Sequence, residues 1–550
     1  MFEFMRQTLW ILSLLIANIL WAQSTDFTLG HPAYKIIELE EIRSEDGFIT
    51  TIKPISRSSV FDLLGNQRGL YMNKELREYT NDTAMSRVPI LGRFFQYPAD
   101  LFYYGDEKLD LHVNPVLQFS YGKTNDALGS TFVNSRGAEI RGRIDKKVAF
   151  YTMLTENQAR YPVYVNNIRD STLVVPYEGF WKQYATTGVD FFRAQGYVDF
   201  GFSKSISAQL GFGKHFVGNG VRSLILSNYS NNYPYLRINT NTKIFDYTNI
   251  FGELIAGVRG GTFGLEGTGG FQKKYMAFHH LNMKIKPNLH IGLFESVMYG
   301  DSTGGLKVEY LNPIIFYRAV EQQNGSEDNA LIGLDFKWNI KNRVSLYGQL
   351  VIDEMIISEV VAGNGWWGNK QGFQLGAKYV DPFGFKNAIV QGEINRVRPY
   401  MYAHEDGFTS YSHYNLSLAH PLGANFTEYI GRANYRLNDQ WNFEGMFMMA
   451  TYGNDIGDVN FGRDILKDYT VRRPNGNGGS LEYGNTHLQG NQTDLMMAFF
   501  RASYMWKHNL FVDADITLRK EQDSNGLIDT STSVFGLTMR WNVPSREYLF

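Results

Sequence analysis

The chain has 550 residues, a formal net charge of -2, a mean hydropathy of -0.28, 15% aromatic residues and no cysteine. The balanced charge provides no basic field, so nucleic acid is not an expected partner. The lack of cysteine excludes disulfides, thiolate metal sites and a lipid-modified cysteine. Glycine (54), tyrosine (34) and phenylalanine (39) are abundant, and proline (15) is not, which favours one large closed β-sheet over several soluble domains.

The first element is a predicted secretory signal at residues 1–22. Arg6 precedes an apolar run from Leu9 to Trp21, and Ala22 is a small residue suited to cleavage. An uncleaved N-terminal anchor is the alternative. No later window of the sequence reaches the roughly 18 uncharged apolar residues of a spanning helix, so membrane embedding has to come from strands.

Residues 23–110 are predicted to form a small, partly helical N-terminal periplasmic region. They lack long alternation, and Ser58 and Asn73 are each placed to cap a short helix. Residues 111–550 are predicted to form the outer-membrane β-barrel.

Alternating apolar and polar residues predict antiparallel strands throughout that second part. The 18 predicted strand cores are 111–121, 136–144, 147–157, 188–201, 205–213, 223–228, 243–258, 275–286, 289–299, 330–340, 343–354, 371–381, 387–396, 425–437, 441–452, 493–507, 509–520 and 532–542. Short and long connections alternate, as they do in outer-membrane barrels. The one poor fit is 229–242, a long connection on the short side.

The hairpin at residues 330–354 shows the pattern most clearly. Apolar residues occupy alternate positions from Ala330 to Ile340, and the alternation resumes at Val344. Keeping both apolar faces on one side requires an odd number of turn residues. We therefore expect the pairs Asn339–Arg343, Lys337–Ser345 and Asp335–Tyr347.

The polar faces of the strands must line the lumen, because an Arg or Lys at the lipid midplane costs about 2–4 kcal/mol. These faces carry both signs: Asp335, Lys337, Glu393, Glu428, Arg432, Arg436, Asp513, Asp515, Arg519 and Arg540. Such charges can pair across the wall or across the barrel, which favours an occluded interior over an aqueous channel. Phe550 resembles the aromatic residue that ends many barrels, although Pro544 interrupts the strand before it.

The long loops are expected outside the cell, where their residues gather at the outer mouth. An aromatic ring can stack on a pyranose while charged and amide groups bond its hydroxyls. The predicted glycan contacts are Arg318, Glu321, Asp328, Asn329, Asp353, Glu354, Trp366, Trp367, Lys214, His215 and Arg222. The alternatives are that the two tryptophans belong to an outer aromatic belt and that the glycine-rich stretch 211–227 supplies tight turns in a compact outer loop.

Catalysis has little support in the sequence. Neither G-x-S-x-G nor H-E-x-x-H occurs, although a Ser–His site on adjacent strands has no local motif and stays open. Asp455, Asp458 and Asp464 share one loop without the spacing of a known calcium loop. We therefore predict no enzyme activity, no cofactor and no metal.

Several stretches resemble the capsule-assembly Wzi-like outer-membrane proteins, most closely a branch in Bacteroidetes-type bacteria that includes the gliding motility protein RemB. They are KPISR at 53–57, GNGVRSLILS at 218–227 with YPYL at 233–236, LNPIIFYR at 311–318, DNALIGLD at 328–335 and YGQLVIDE at 347–354. The resemblance implies an outer-membrane barrel of 18 strands with a small periplasmic helical element. It also implies a role in attaching capsular polysaccharide or in gliding.

The sequence thus predicts an all-β outer-membrane barrel that binds or attaches surface polysaccharide, supports gliding motility, or does both. Its expected partners are outer-membrane lipid, surface polysaccharide, and motility or secretion machinery. A channel for small solutes is the alternative function.

Overall fold

The computed structural model describes residues 24–44, 50–60, 100–145, 147–257, 271–300, 305–314, 316–324, 328–405 and 407–550. The predicted signal at 1–22 and the predicted cap at Asn73 lie outside these ranges. Among the described residues, no helix is long and apolar enough to cross a membrane.

The fold is a closed barrel of 18 long antiparallel strands, as predicted. In chain order, β1 to β18 are Leu109–Thr124, Ser130–Ile144, Val148–Arg160, Gly188–Gly201, Ile206–Gly213, Tyr233–Asn241, Phe245–Ile255, Lys273–Lys286, Leu289–Tyr299, Asn329–Ile340, Val344–Glu354, Lys370–Val380, Ala388–Val397, Phe426–Arg436, Trp441–Asn454, Asn491–Lys507, Leu510–Asp523 and Asp529–Trp541. The barrel closes where β18 pairs with β1, from Trp541 opposite Leu117 to Val534 opposite Thr124. Closure leaves no sheet edge, which a lipid-embedded sheet requires.

Shorter elements decorate this barrel. The helices with both ends among the described residues are α1 at Ala33–Arg43, α2 at Val163–Thr172, α3 at Tyr317–Asn324 and α4 at Ile357–Ala362, and 3-10 turns occupy Val308–Leu311 and Pro382–Gly384. The short strands are Asp26–Phe27, Ile52–Lys53, Ile55–Ser56, Phe102–Gly105, Lys182–Tyr184, Phe216–Val217, Ser412–His413 and Leu416–Ser417.

The sixth predicted strand is wrong. Residues 223–228 are not a barrel strand; β6 is Tyr233–Asn241, which pairs with β5 and β7. The run from Leu224 to Leu226 is apolar because it is fully buried inside the barrel, not because it faces lipid. This correction also removes the poorly fitting connection at 229–242, since the turn between β6 and β7 is only 242–244.

The register of the 330–354 hairpin is also corrected, by two residues. Ile340 pairs with Val344, so Asn339 lies opposite Ser345 and not opposite Arg343. The turn is Lys341 to Arg343, with Lys341 and Asn342 at φ values of 50° and 54°. The prediction of an odd number of turn residues was correct, and both apolar faces therefore still point to lipid.

The two faces of each strand differ as the alternation requires. In β17, Val512 and Leu518 are 42% and 46% exposed on the outside, whereas Asp513 and Arg519 are 1% and 8% exposed inside. The lumen-facing Asp513 accepts a hydrogen bond from Arg540 Nε of β18 at 2.6 Å. Opposite charges on neighbouring strands thus pair along the inner wall.

Residues 24–44 and 50–60 of the N-terminal region lie against this inner wall, whereas Phe102–Gly105 pairs with β1 in the barrel sheet. Helix α1 is amphipathic in its contacts: its apolar residues pack with Val380 and Ile389 at the short-turn end of the barrel. Its charged residues pair with lumen residues, Lys35 with Glu444 at 2.7 Å and Glu41 with Lys337. The predicted boundary of this region at residue 110 stays a prediction.

Three further segments occupy the interior. They are the inner segment 214–232, the loop 398–425 and the C-terminal segment 543–550, whose apolar residues share one core cluster with the strands. A short antiparallel pairing of Phe216–Val217 with Ile52–Lys53 joins the inner segment to the N-terminal region. A terminal aromatic residue suggests the end of a lipid-facing strand, but Phe550 does not occupy that position. It packs inside the barrel against Tyr229, with ring centroids 5.7 Å apart.

Helix α1 is anchored by Arg43, which donates to both carboxylate oxygens of Asp381 at 2.6 and 3.2 Å. Since such charge-assisted bonds contribute about 1.5–3 kcal/mol each, Arg43→Met should speed amide exchange in α1 roughly 30-fold. Mass-spectrometric hydrogen exchange on the detergent-solubilised barrel measures the exchange rate in α1. The exposed Arg343→Met is the control, and equal exchange in both variants would contradict the anchoring role.

Candidate functional site

Two long loops meet at the outer mouth. The loop 355–369 begins with helix α4 and then runs beside the loop 455–490. Backbone hydrogen bonds join them: Trp367 N donates to Glu482 O at 3.0 Å, and Gly484 N donates to Asn364 O at 2.9 Å. The pairing holds residues that are far apart in sequence on one surface.

The aromatic cluster at this junction consists of Trp366, Trp367 and Tyr469. The rings of Trp367 and Tyr469 lie 4.8 Å apart at an angle of 31°, and the two indoles are 5.9 Å apart. Two cations contact these rings, Arg472 at 4.0 Å above Trp367 and Lys370 at 4.3 Å above Tyr469. The cluster thus combines aromatic faces with positive charge.

The environment of Trp367 is polar, which argues against the lipid-facing belt as its role. Its indole Nε1 donates to Glu482 Oε2 at 2.8 Å, and Glu482 Oε1 accepts from Arg472 at 2.6 Å. A belt tryptophan presents its ring to lipid and its N–H to the interface. Trp366 is half-buried, and its only ring contact among the described residues is with Trp367.

Asp353 and Glu354 lie below the aromatic cluster, at the end of β11. Lys370 contacts both carboxylates, at 3.2 Å and 3.4 Å. Asp353 also accepts from the backbone N of Tyr402 at 2.9 Å, so this carboxylate is fully engaged in holding the loop 398–425. The side chain of Glu354 is 40% exposed, and Lys370 connects it to Tyr469 of the cluster.

The predicted residues near α3 form a separate group. Asp328 pairs with Lys307 at 2.8 Å, and Asn329 donates to the backbone oxygen of Thr409 at 3.1 Å. Arg318 is exposed on α3, while the side chain of Glu321 lies outside the described residues. The loop 398–425 links this group to the aromatic cluster, because Thr409 bonds His404 at 2.7 Å and His404 packs against Tyr469.

Lys214, His215 and Arg222 do not lie in an outer loop, which corrects their predicted position. The inner segment carries them into the barrel. Lys214 donates to two backbone oxygens, and Arg222 Nε donates to Glu428 at 3.2 Å. His215 is fully buried beside Tyr233, and burial holds the pKa of its imidazole well below the usual value.

Sequence reasoning missed Lys370, Tyr469, Arg472 and Glu482 as members of the site. Three of them lie in a long loop with no periodic pattern, and only its aromatic and basic residues could have suggested a role. Asp455 of that loop is engaged elsewhere, since it pairs with Lys467 at 2.6 Å. Within the described ranges, no group of three or more His, Asp or Glu is arranged to hold a metal ion.

Comparison with solved structures places the fold among outer-membrane barrels. The chain is similar to Wzi of Escherichia coli, "an Outer Membrane Protein Involved in Group 1 Capsule Assembly" that is "a Carbohydrate Binding Beta-Barrel". The TM-score is 0.54, and the sequence identity is 10% over 96% of this chain and 100% of that chain. A second match is the outer membrane protein OprD of Pseudomonas aeruginosa, with a TM-score of 0.44 and 10% identity over 78% of this chain and 92% of that chain. No family model and no curated protein sequence matches the chain. The fold is therefore that of an outer-membrane β-barrel, in agreement with the predicted localisation.

Removing the Trp367 ring should loosen the junction of the two loops, since Arg472 loses its aromatic contact and Glu482 loses a donor. We expect Trp367→Ala to raise the rate of trypsin cleavage at the Arg472–Arg473 bond about tenfold, because cleavage follows the population of opened loop. Gel electrophoresis and mass spectrometry of a digestion time course measure the cleavage rate at this bond. Trp366→Ala, which leaves the Arg472 contact intact, is the matched control; equal rates in both variants would argue against the junction.

Proposed function

We propose that this outer-membrane barrel binds a surface polysaccharide at the aromatic cluster and does not conduct solutes. The observation that carries the proposal is the cluster itself, in which Trp366, Trp367 and Tyr469 lie among cationic and acidic side chains at the mouth. Aromatic faces take the apolar face of a pyranose, and the charged groups around them bond its hydroxyls or carboxylates.

The filled lumen supports a binding role over a channel role. Helix α1 spans the short-turn end of the lumen, and the inner segment, the loop 398–425 and the segment 543–550 pack behind it. Arg222 joins the inner segment to the barrel wall and to the segment 543–550, since it bonds Glu428 of β14 at 3.2 Å and the backbone oxygen of Leu549 at 2.5 Å. An 18-stranded barrel without such filling is wide enough for an aqueous channel.

The similarity to Wzi is consistent with this proposal at the level of fold. Wzi is a carbohydrate-binding barrel involved in Group 1 capsule assembly. We extend carbohydrate binding to this chain, with the polysaccharide of the cell's own surface as the ligand class. The likeness to RemB, a role in gliding, and motility or secretion partners stay predictions.

The channel alternative is tested electrically. The purified protein in a planar lipid bilayer should give no large steady conductance, because packed segments occupy the lumen. A porin reconstituted by the same protocol is the positive control. A steady conductance of porin size would overturn the closed-lumen part of the proposal.

The glycan site is tested with the double variant Trp366→Ala and Trp367→Ala. It should weaken retention of polysaccharide purified from the same cells by about tenfold, given about 0.5–1.5 kcal/mol for each aromatic contact. Binding to immobilised polysaccharide measures it. Phe383→Ala is the control, because Phe383 is 91% exposed in the turn at the opposite end. Equal retention in the double variant would exclude the cluster as the site, provided that both variants migrate as folded barrels.

A strain that lacks the protein separates the two cellular roles. Polysaccharide shed into the medium with normal colony spreading is the result expected of a capsule anchor. Retained polysaccharide with failed spreading would instead assign the barrel to the motility machinery.

A further inference from the structure

A cavity of about 350 Å³ lies inside the barrel, enclosed by helix α1, the inner segment 214–232 and the C-terminal segment 543–550. It is separate from the aromatic cluster at the mouth. Nine basic and five acidic side chains line it, so its walls carry an excess of positive charge. A charge in such a cavity needs a partner, because an unpaired charged group held away from water is costly.

The acidic side chains are already engaged by some of the cations. Glu41 pairs with Lys337, and Glu38 pairs with Lys378. Glu178 is shared by Arg546 at 3.3 Å and Arg193 at 3.9 Å. A fourth carboxylate, Glu444, pairs with Lys35 and Arg432, and the fifth, Glu547, pairs with Arg501 at 2.7 Å.

Lys53 and Lys214 have no carboxylate partner within the described part of the chain. Lys53 Nζ donates to the backbone oxygen of Gly218 at 2.8 Å. Lys214 Nζ donates to the backbone oxygens of Tyr177 at 2.8 Å and Ser230 at 3.1 Å. An ammonium group carries three donors, so each lysine keeps at least one for a further acceptor.

A third donor at this cavity, unlike the two ammonium groups, has no hydrogen-bond partner among the described residues. Arg546 Nε is buried and lies 3.3 Å from Glu178 without a hydrogen bond to it. Burying an ammonium group without an anionic partner is costly. An anion in the cavity would offset this cost and occupy the remaining donors.

We propose that this cavity binds a small oxyanion, held by the ammonium groups of Lys53 and Lys214. Its volume is at the lower end of ligand pockets, which run from about 300 to 1,000 Å³, and it accommodates either a free inorganic oxyanion or an acidic monosaccharide. The shared chemistry is an oxygen-bearing anion. The inference does not depend on polysaccharide binding at the mouth.

Calorimetric titration of the intact barrel in non-ionic detergent tests the site with two probes, sulfate and galacturonate. Saturable binding of either probe supports it, and the probe that binds identifies the inorganic or the sugar-carboxylate class. Lys53→Met and Lys214→Met should each weaken binding about tenfold, the factor expected for one charge-assisted hydrogen bond. Lys386→Met, in the exposed turn before β13, should leave it unchanged.

The pH dependence supplies a second readout. Burial lowers the pKa of Lys53 to about 7, with Lys378 and Lys337 lowering it further and Glu41 and Glu38 opposing. Burial likewise lowers the pKa of Lys214 to about 7, with Arg193 and Arg546 adding to the effect and Glu178 opposing it. The protonated lysines bind the anion, so affinity should fall as pH rises from 7 to 9, where both probes keep a constant charge.

Two results would overturn the site. One is the absence of saturable binding for both probes with a barrel that migrates as folded. The other is binding that neither lysine substitution weakens and that does not change between pH 7 and 9. Either result leaves the test of the aromatic cluster untouched, because that test uses a different surface and a different ligand.

Discussion

Each charge inside a closed barrel has to find a partner there, and this requirement determines how the interior is built. Some of the charges on the strands pair with each other, as Arg540 and Asp513 do on adjacent strands. Other wall charges pair with helix α1, whose Glu41 bonds Lys337 and whose Lys35 bonds Glu444. The interior is therefore filled by segments whose charges are complementary to the wall, and the filling is as much a part of the fold as the sheet.

The sheet could be predicted from the sequence because its signal is local. A strand between lipid and a polar lumen alternates residue by residue, and Val512 to Arg519 show this in both sequence and exposure. The stretch at 223–228 misled because an apolar run buried inside the barrel resembles a short strand. The position of Phe550 could not be predicted for a related reason, since a residue type does not indicate which side of the wall it occupies.

The candidate site was only partly predictable. An aromatic pair in a long loop pointed to Trp366 and Trp367, but their partners lie in another loop, with Glu482 separated from Trp367 by 115 positions. No periodicity relates two loops that meet above a barrel. The glycine-rich stretch around Lys214 has the sequence of an outer loop, since it follows a strand that ends at the mouth. The chain turns inward there because of contacts with Glu393 and Glu428, which are distant in sequence.

The pairing of Ile52–Lys53 with Phe216–Val217 has a mechanical consequence. The inner segment that contains Phe216 is also bonded to the loop 398–425, where Ser227 N donates to Leu418 O at 2.7 Å. Backbone hydrogen bonds therefore connect the loop 398–425, the inner segment and the N-terminal region in series. A displacement of the loop would have to break these bonds or move the inner segment and the N-terminal region with it.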